Sequence, residues 1–554
     1  MNFKKVAEMK SLISILILIG SVCLISFGIW NADVPLGDEA GHISEAYGLH
    51  SSGHYSTNLY KLSYVAIFKY LTDDPVIAHY ICRFITSLFS VVLMYLFLRS
   101  FKFVTNEFAL ILSCVFWAIT RLNIPESQFG NINLFTLNLV SPAVILLMRK
   151  FSVERALFLV ISLLWAAQIR TEYYATLAVI LCWLGYEIYK KGGVKLPEFR
   201  SRLCMIGMIF LLVLTLATIS VKRTQSPNFD KYLLLGLSQC YTSLYSKLHP
   251  GEKMSAMVEY TDLVNKVFDH PTGFIDAVMK NPKEVSKYLI LNGGINSVIL
   301  SPGLLRHRAI PGTEKYGKKG EMLQISAVLL ILFSATVAGI LKAKAGISAV
   351  ARICVSNVGT GNLVVLLGLC SASLVSIFLL IPDPRYWISF IPLLFLWIAW
   401  SLNFIFAQIR SRPMNIAIFA ILVILMSMPM FLNRDTNRNV ILKMREAAGK
   451  SVVKPRVAGL YPGAIAFFAF KDKCQVVCVG ELKIADFDNR NYDFVIADKY
   501  LRDSTYWRDN GSFMDDFEAN PEKHGYSLLC RTSDKYEMAV YKAIYNPVRS
   551  HLRN

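Results

Sequence analysis

The sequence predicts an α-helical multi-pass membrane protein with about 11 transmembrane helices and a small extracytoplasmic α/β domain at its C-terminal end. Three observations lead there. The apolar residues, 54% of a chain of 554, gather in long runs rather than spreading evenly. The basic residues fall in alternate short loops. Past residue 432 the runs stop, and short alternating stretches take over.

The runs include Ser11–Trp30, Val76–Leu98, Arg202–Val221, Glu321–Leu341 and Asn362–Ile381. About 20 apolar residues match the thickness of a bilayer core, whereas a soluble core helix is shorter and amphipathic. Lys4, Lys5 and Lys10 precede the first run, as in a signal peptide. That run exceeds the usual h-region, and no small-x-small cleavage site follows Trp30, so it reads as a retained helix. The net charge of +19 is mostly topology. Arg99 and Lys102, Arg149 to Arg155, Lys190 to Arg202, Lys342 to Arg352, and Arg410 with Arg412 lie in loops that alternate with poorly charged ones. This is the positive-inside pattern, and it argues against nucleic acid as a partner. The expected spans are 11–30, 76–98, 105–120, 132–148, 155–170, 173–189, 203–221, 321–341, 359–381, 386–407 and 413–432. The N-terminus is then cytoplasmic and the tail from Asn433 outside, in a plasma membrane of bacterial type.

Two domains follow: 1–432 as the transmembrane domain, with outer loops 31–75 and 222–320, and 433–554 as the outer α/β domain. The second loop has breakers at Ser226-Pro227, His249-Pro250-Gly251, Asn281-Pro282 and Ser301-Pro302-Gly303. The stretches between them suit short helices along the membrane surface, and their basic residues suit anionic lipid head groups or phosphates. In the tail, "RVAGL", "QVVCVG", "DFVIADK", "YSLLCRT" and "EMAVYKAI" read as strands; "PGAIAFFAF" and Met514–Glu522 read as helices. Cys474, Cys478 and Cys530 of the tail leave room for one disulfide, with the pairing open. No repeat or low-complexity segment is evident.

The first exposed loop, "VPLGDEAGHISEAYGLHSSGHYSTN", is crowded with titratable groups. Helical spacing puts Asp38, His42 and Glu45 on one face, with Glu39 to the side. A carboxylate there can stay ionised at the membrane surface and take a proton from an incoming hydroxyl. The same acids also suit a solvated helix N-terminus. "DEAGH" has the register of H-E-x-x-H, but Asp38 replaces the first His and no third ligand follows, so a zinc protease is not indicated. A divalent ion near Asp38 and His42 stays open, although nothing in the sequence requires one.

Other charges sit at membrane level, where they are costly and by default raise a functional hypothesis. Lys61 lies later in the first loop; Arg121 and Glu126 lie in the next outer loop. Arg170 and Glu172 flank a turn, and "PDPRYWISFIP" supplies Arg385 and Tyr386. Each has a plainer reading. Arg83 in the second span suits snorkelling or pairing within the bundle. Arg170 and Glu172 suit a structural ion pair. Tyr386 suits an interfacial aromatic belt.

Taken in order, these motifs resemble the integral-membrane GT-C glycosyltransferases, in particular the dolichyl-phosphate-mannose mannosyltransferase and aminoarabinose-transferase branch. The resemblance covers roughly residues 10–432. It rests on "DEA" after the first span, a basic residue later in that loop, an Arg in the second span, an acid in the second outer loop, "RTE", and "RYWISFIP". It implies inverting transfer of a sugar from a polyprenyl-phosphate-linked donor to a glycan, lipid or protein acceptor. On the same resemblance Asp38 matches the general base, with Glu39 as its alternate, and Glu126 matches a second acid. Lys61 and Arg385, with Tyr386 beside it, match groups that hold the donor phosphate. His42, Arg170 and Glu172 are further candidates. Lys61 is followed by Leu-Ser where the family often has Pro-Pro, and Glu126 stands where Asp is more usual. The rival class is a transporter or flippase of lipid-linked sugars. Such proteins show paired halves with broken helices at the midplane, which this chain lacks.

Overall fold

The computed structural model describes residues 72–101, 130–149, 151–170, 172–190, 199–223, 229–249, 260–304, 360–379, 389–406, 436–449 and 454–459. It also describes 463–471, 473–478, 481–502, 504–532 and 537–544, with scattered positions such as Val34 between them. The described chain divides into two compact units. The first holds 84–406 and the second holds Val34, 72–83 and 436–544.

The first unit is helical. Its elements are α1 (Pro75–Arg99, of which the residues from Phe84 belong here), α2 (Gly130–Arg149), α3 (Val153–Ile169), α4 (Tyr173–Lys190) and α5 (Phe199–Arg223). After them come α6 (Phe229–Leu248), α7 (Tyr260–Phe268), α8 (Phe274–Lys280), α9 (Pro282–Leu304), α10 (Thr360–Leu379) and α11 (Ile391–Phe406). These helices cover most of the expected spans 76–98, 132–148, 155–170, 173–189, 203–221, 359–381 and 386–407. Spans 11–30, 105–120, 321–341 and 413–432 lie wholly or largely outside the described residues. Among the described residues α1 is long and apolar enough to cross a membrane, and shorter apolar stretches occur in α2, α5, α10 and α11.

Helices α2, α3, α4 and α10 share one core, built from Val140, Val144, Leu159, Leu163, Tyr173, Ile180, Val365 and Leu369 among others. Small residues let the backbones close up: Ala143, Ala166 and Ala167 are buried in it, and a Cβ on Gly368 of α10 would lie 3.0 Å from Ile180 Cδ1 of α4. Polar side chains add cross-links. Asn138 of α2 donates to Thr86 O of α1 at 3.0 Å, and Ser90 lies 2.8 Å from Asn138 Oδ1. Trp165 Nε1 donates to Thr215 Oγ1 of α5 at 2.9 Å. The outer side of α5 is as apolar as its inner side: Ile206, Phe210 (67% exposed) and Val213 all face outward. A helix that is hydrophobic all round needs lipid or protein on every side.

Helices α6 to α9 occupy the long second loop and pack around Leu237, Tyr241, Leu263, Phe268, Val285 and Tyr288. Helix α6 stops before His249-Pro250, and α9 begins at Pro282, where Asn281 Oδ1 accepts the Glu284 N–H at 3.2 Å. Ser301-Pro302-Gly303, expected to break the chain, instead lies inside the end of α9.

The second unit contains α12 (Thr436–Ala448), β1 (Arg456–Gly459), α13 (Gly463–Phe470), β2 (Gln475–Cys478), α14 (Ile484–Asp488) and β3 (Phe494–Ala497). It continues with α15 (Lys499–Arg502), α16 (Thr505–Asp509), α17 (Gly511–Ala519), β4 (Tyr526–Arg531) and β5 (Ala539–Ala543). The strands form one sheet in the order β2-β1-β3-β5-β4, with β2, β1 and β3 parallel and β5 and β4 antiparallel. The five stretches read as strands are these five. Central β3, "FVIA", is buried along its whole length, as a strand covered on both faces must be. The core is aromatic: Phe487, Tyr492, Phe517, Tyr526 and Tyr541 meet edge to face. Gly525 turns into β4 at φ +77, and a Cβ there would overlap the Arg490 side chain. Among the described residues no disulfide joins Cys474, Cys478 or Cys530 to one another.

Candidate functional site

Within the first unit a narrow cleft, with about 20 Å³ of internal room, lies among α1, α2, α4, α10 and α11. Leu93, Phe97, Val140 and Leu369 make most of its wall, and Ser90, Ser141, Tyr173 and Ser389 supply the polar atoms. Its internal room is that of a water or two, so the cleft marks where these helices meet.

The turn from α3 to α4 carries the charged pair next to this cleft in sequence. Arg170 caps α3 in an extended conformation and donates its N–H to Ala166 O at 2.7 Å. Its Nη1 lies 3.6 Å from Glu172 Oε1. Only 15% and 12% of the two side chains is exposed, so the charges face the protein. The neighbouring Tyr173, 4% exposed, starts α4 and lines the cleft. The turn is therefore both an ion pair and the lead-in to a cleft residue. Arg83 is 2% exposed, which places its guanidinium inside the protein rather than snorkelled to solvent.

The second unit holds a constellation that sequence reasoning missed. Asp74 precedes Pro75 as the N-cap of α1: its Oδ1 accepts the Val76 N–H at 2.8 Å and its carbonyl accepts the Ala78 N–H at 2.8 Å. Arg445 of α12 grips the same carboxylate with both arms, Nη1 to Oδ2 at 2.9 Å and Nη2 to Oδ1 at 3.1 Å. It also donates to Phe468 O at 2.6 Å and Ala469 O at 3.2 Å, carbonyls at the end of α13. One guanidinium thus joins a helix start to a helix end. Burial pushes the Asp74 carboxyl up, but the Arg445 hydrogen bond and charge, with the Val76 and Ile77 N–H groups, outweigh it and hold it below its ordinary value.

Other contacts lie alongside. Arg438 of α12 stands 5.5 Å over the Tyr80 ring. His79 is buried with its ring edge toward Phe468, and neither ring nitrogen has a hydrogen-bond partner among the described residues. Asn437 Nδ2 donates to Val34 O at 2.9 Å. The "DDP" at 73–75 was the available signal, a carboxylate cap before a first-turn proline. Nothing local points to Arg445.

Of the residues singled out in the sequence, Arg170 and Glu172 are brought together. Asp38, Glu39, His42, Lys61, Glu126, Arg385 and Tyr386 lie outside the described residues. Among the described residues no three His, Cys, Asp or Glu side chains gather as metal ligands would.

No family model matches the chain, and no curated protein matches it. Solved structures with a similar course include the archaeal oligosaccharyltransferase AglB from Archaeoglobus fulgidus, in complex with an inhibitory peptide and a dolichol-phosphate. It is 12% identical with a TM-score of 0.41, over 94% of this chain and 73% of that one. ArnT from Cupriavidus metallidurans in the apo state is 10% identical with a TM-score of 0.40, over 97% of this chain and 98% of its own. The same ArnT bound to undecaprenyl phosphate is 9% identical with a TM-score of 0.38, over 95% and 97%. These neighbours are GT-C glycosyltransferases, the class that the order of motifs in the sequence resembles.

Proposed function

We propose that the protein is a multi-span membrane glycosyltransferase that moves a sugar from a polyprenyl-phosphate-linked donor to an acceptor on the outer face of the membrane. In this reading residues 1–432 form the transmembrane domain, with about eleven spans, and 433–554 an extracytoplasmic domain. The observation that carries it is the order of membrane-level charges: Asp38 and Glu39 after the first span, then Lys61, Glu126, the inward-facing Arg170–Glu172 pair, and Arg385 with Tyr386. Such groups are costly in a membrane protein unless they act on something. ArnT with undecaprenyl phosphate and AglB with dolichol-phosphate are precedents for the donor class.

The chemistry follows from the residue types. Asp38 takes the proton of the acceptor hydroxyl as its oxygen attacks the sugar's anomeric carbon from the side opposite the phosphate. The bond between that carbon and the phosphate oxygen breaks, and its electron pair leaves on the polyprenyl phosphate. Configuration inverts. The leaving phosphate gains charge, which Lys61 and Arg385 stabilise, with the Tyr386 hydroxyl in support. Glu126 places the acceptor.

The test is sugar transfer from a polyprenyl-phosphate donor in membranes holding equal amounts of each variant. Asp38→Asn keeps the shape but cannot accept the proton, so transfer falls by roughly 10²–10⁴-fold while donor binding persists. Glu39→Gln loses less. Full activity in both variants would return the acidic loop to a solvated helix end.

A further inference from the structure

We propose that α9 enters the bilayer at its outer boundary, with the turn of Lys283 and Lys287 among the lipid phosphates and that of Ile290 and Leu291 among the acyl chains. This rests on the reading of the first unit as membrane-spanning. Polarity changes along the exposed side of α9. Lys283, Ser286 and Lys287 are exposed first, and Ile290 (72% exposed) and Leu291 follow. A helix lying flat on a membrane divides its polar and apolar residues around the axis, whereas one that descends divides them along it. Val285 and Tyr288, on the first half of α9, belong to the core of the loop helices and not to that of the spans.

The depth of α9 follows from the packing of α4 and α10, which run antiparallel. A Cβ on Gly361 would lie 3.1 Å from the Trp183 ring, one on Gly368 would lie 3.0 Å from Ile180, and Ser371 Oγ stands 3.3 Å from Thr176 Oγ1. Gly361 is thus level with the last part of α4, where Tyr186 and Tyr189 are exposed just ahead of Lys190. Exposed tyrosines beside a terminal lysine mark a membrane–water interface. From Gly361 α10 climbs about 26 Å to Phe378, and the step from Trp183 to Tyr186 adds about 5 Å. Together these cover about 30 Å, the thickness of a hydrocarbon core. Leu367, Leu374 and Phe378 are exposed along the climb, as side chains against lipid are. Phe378 therefore stands at the opposite boundary.

Helix α9 meets α10 at that level. Asn292 Nδ2 donates to Phe378 O at 3.0 Å, and a Cβ on Gly293 would overlap the Phe378 ring. Phe378 O is among the last carbonyls of α10, which intrahelical N–H groups do not reach. Beside hydrocarbon such a carbonyl needs a protein donor, and the buried Asn292 supplies it. Ile290 and Leu291 precede Asn292 directly, so they lie where the acyl chains begin. Measured along the helix, Lys287 stands about 5 Å and Lys283 about 10 Å beyond Ile290. Lys287 Nζ is 3.3 Å from Glu284, whose carboxylate also accepts the Tyr241 hydroxyl of α6 at 3.0 Å. That pair holds the ammonium at head-group level.

The experiment uses the full-length protein in vesicles of phosphatidylethanolamine and phosphatidylglycerol. The photoreactive residue p-benzoylphenylalanine is placed at one exposed site at a time: Ile290, Lys283 and, as the reference, Phe210 on the outer side of α5. Mass spectrometry of the adducts separates attachment to acyl chains from attachment to protein. Ile290 should give as much acyl-chain adduct as Phe210, and Lys283 at least about fivefold less, since it stands about 10 Å above the boundary. Equal adduct at Ile290 and Lys283 would mean that α9 lies flat, and overturns the proposal. So does the absence of lipid adduct at Ile290 while Phe210 forms it, or attachment of Ile290 to a second copy of the chain. Failure of the underlying reading looks different. Phe210 then forms no lipid adduct either, and the proposal falls with it.

Discussion

The core shared by α2, α3, α4 and α10 and the sheet of the second unit use opposite means to hold together. The sheet keeps an aromatic centre, with Phe487, Phe517 and Tyr526 nearly without exposure, and pairs surface charges such as Asp516 with Lys523. The hydrophobic effect alone tells its inside from its outside. In the helical unit inside and outside are equally apolar, as α5 shows with Phe210 and Val213 facing outward. Close approach through Ala166, Ala167 and Gly368, and hydrogen bonds such as Asn138 to Thr86 O, do the sorting instead. The difference teaches that a buried ring is the costly loss in one unit, and an added methyl or a misplaced charge in the other.

The largest effect tests the aromatic centre. Phe517→Ala removes a buried ring that touches Phe487, Tyr526 and Tyr541, and should destabilise the sheet unit by about 3–5 kcal/mol. Denaturant titration followed by protease sensitivity of the tail reads it; a loss below about 1 kcal/mol would break the contrast.

Next comes the outer face of α5. Phe210→Asp, near the middle of that helix, should impair membrane insertion by roughly 3 kcal/mol, the cost of an Asp at the centre of a span. If the outside of α5 faced water, the same change would be harmless or helpful. Extraction and insertion assays separate the two.

Gly368→Val tests the seam. Its Cβ alone meets Ile180 at 3.0 Å, so the two added methyls should push α4 from α10 and cost about 1–3 kcal/mol. Gly185 has nothing within 4 Å of such a Cβ, so Gly185→Ala on α4 serves as the neutral control.

The smallest effect concerns acid. Hydrogen bonds from Lys523, Asn520 and His524 pull the Asp516 carboxyl down from 3.8 to about 2. A carboxylate lowered in the folded state adds stability above its unfolded value and loses it as pH falls through its folded value. The sheet unit should therefore lose a small increment between about pH 4 and pH 2, and Asp516→Asn should flatten that part of the profile. An unchanged slope in the variant would remove Asp516 from the acid response.

Much of this fold was legible because local pattern and tertiary role coincide. The run at 76–98 is α1, and "DFVIADK" is the central strand, since both are read from periodicity within one segment. Arg170 and Glu172 were legible as a pair because they stand two positions apart. Ser301-Pro302-Gly303 reads as a strong local breaker, yet it lies inside the end of α9.

By itself, then, the sequence determined the helical runs, the strands of the tail and the order of charges along the chain, all of them properties of neighbouring residues. Only tertiary structure decided which face of α5 stays apolar and outward, that Gly368 is a contact with Ile180, and that Arg83 is buried. It alone joined Asp74 to Arg445, 371 residues apart. A cap and a guanidinium each look ordinary in their own segments. Their pairing arises when the chain folds back, and no periodicity spans that distance.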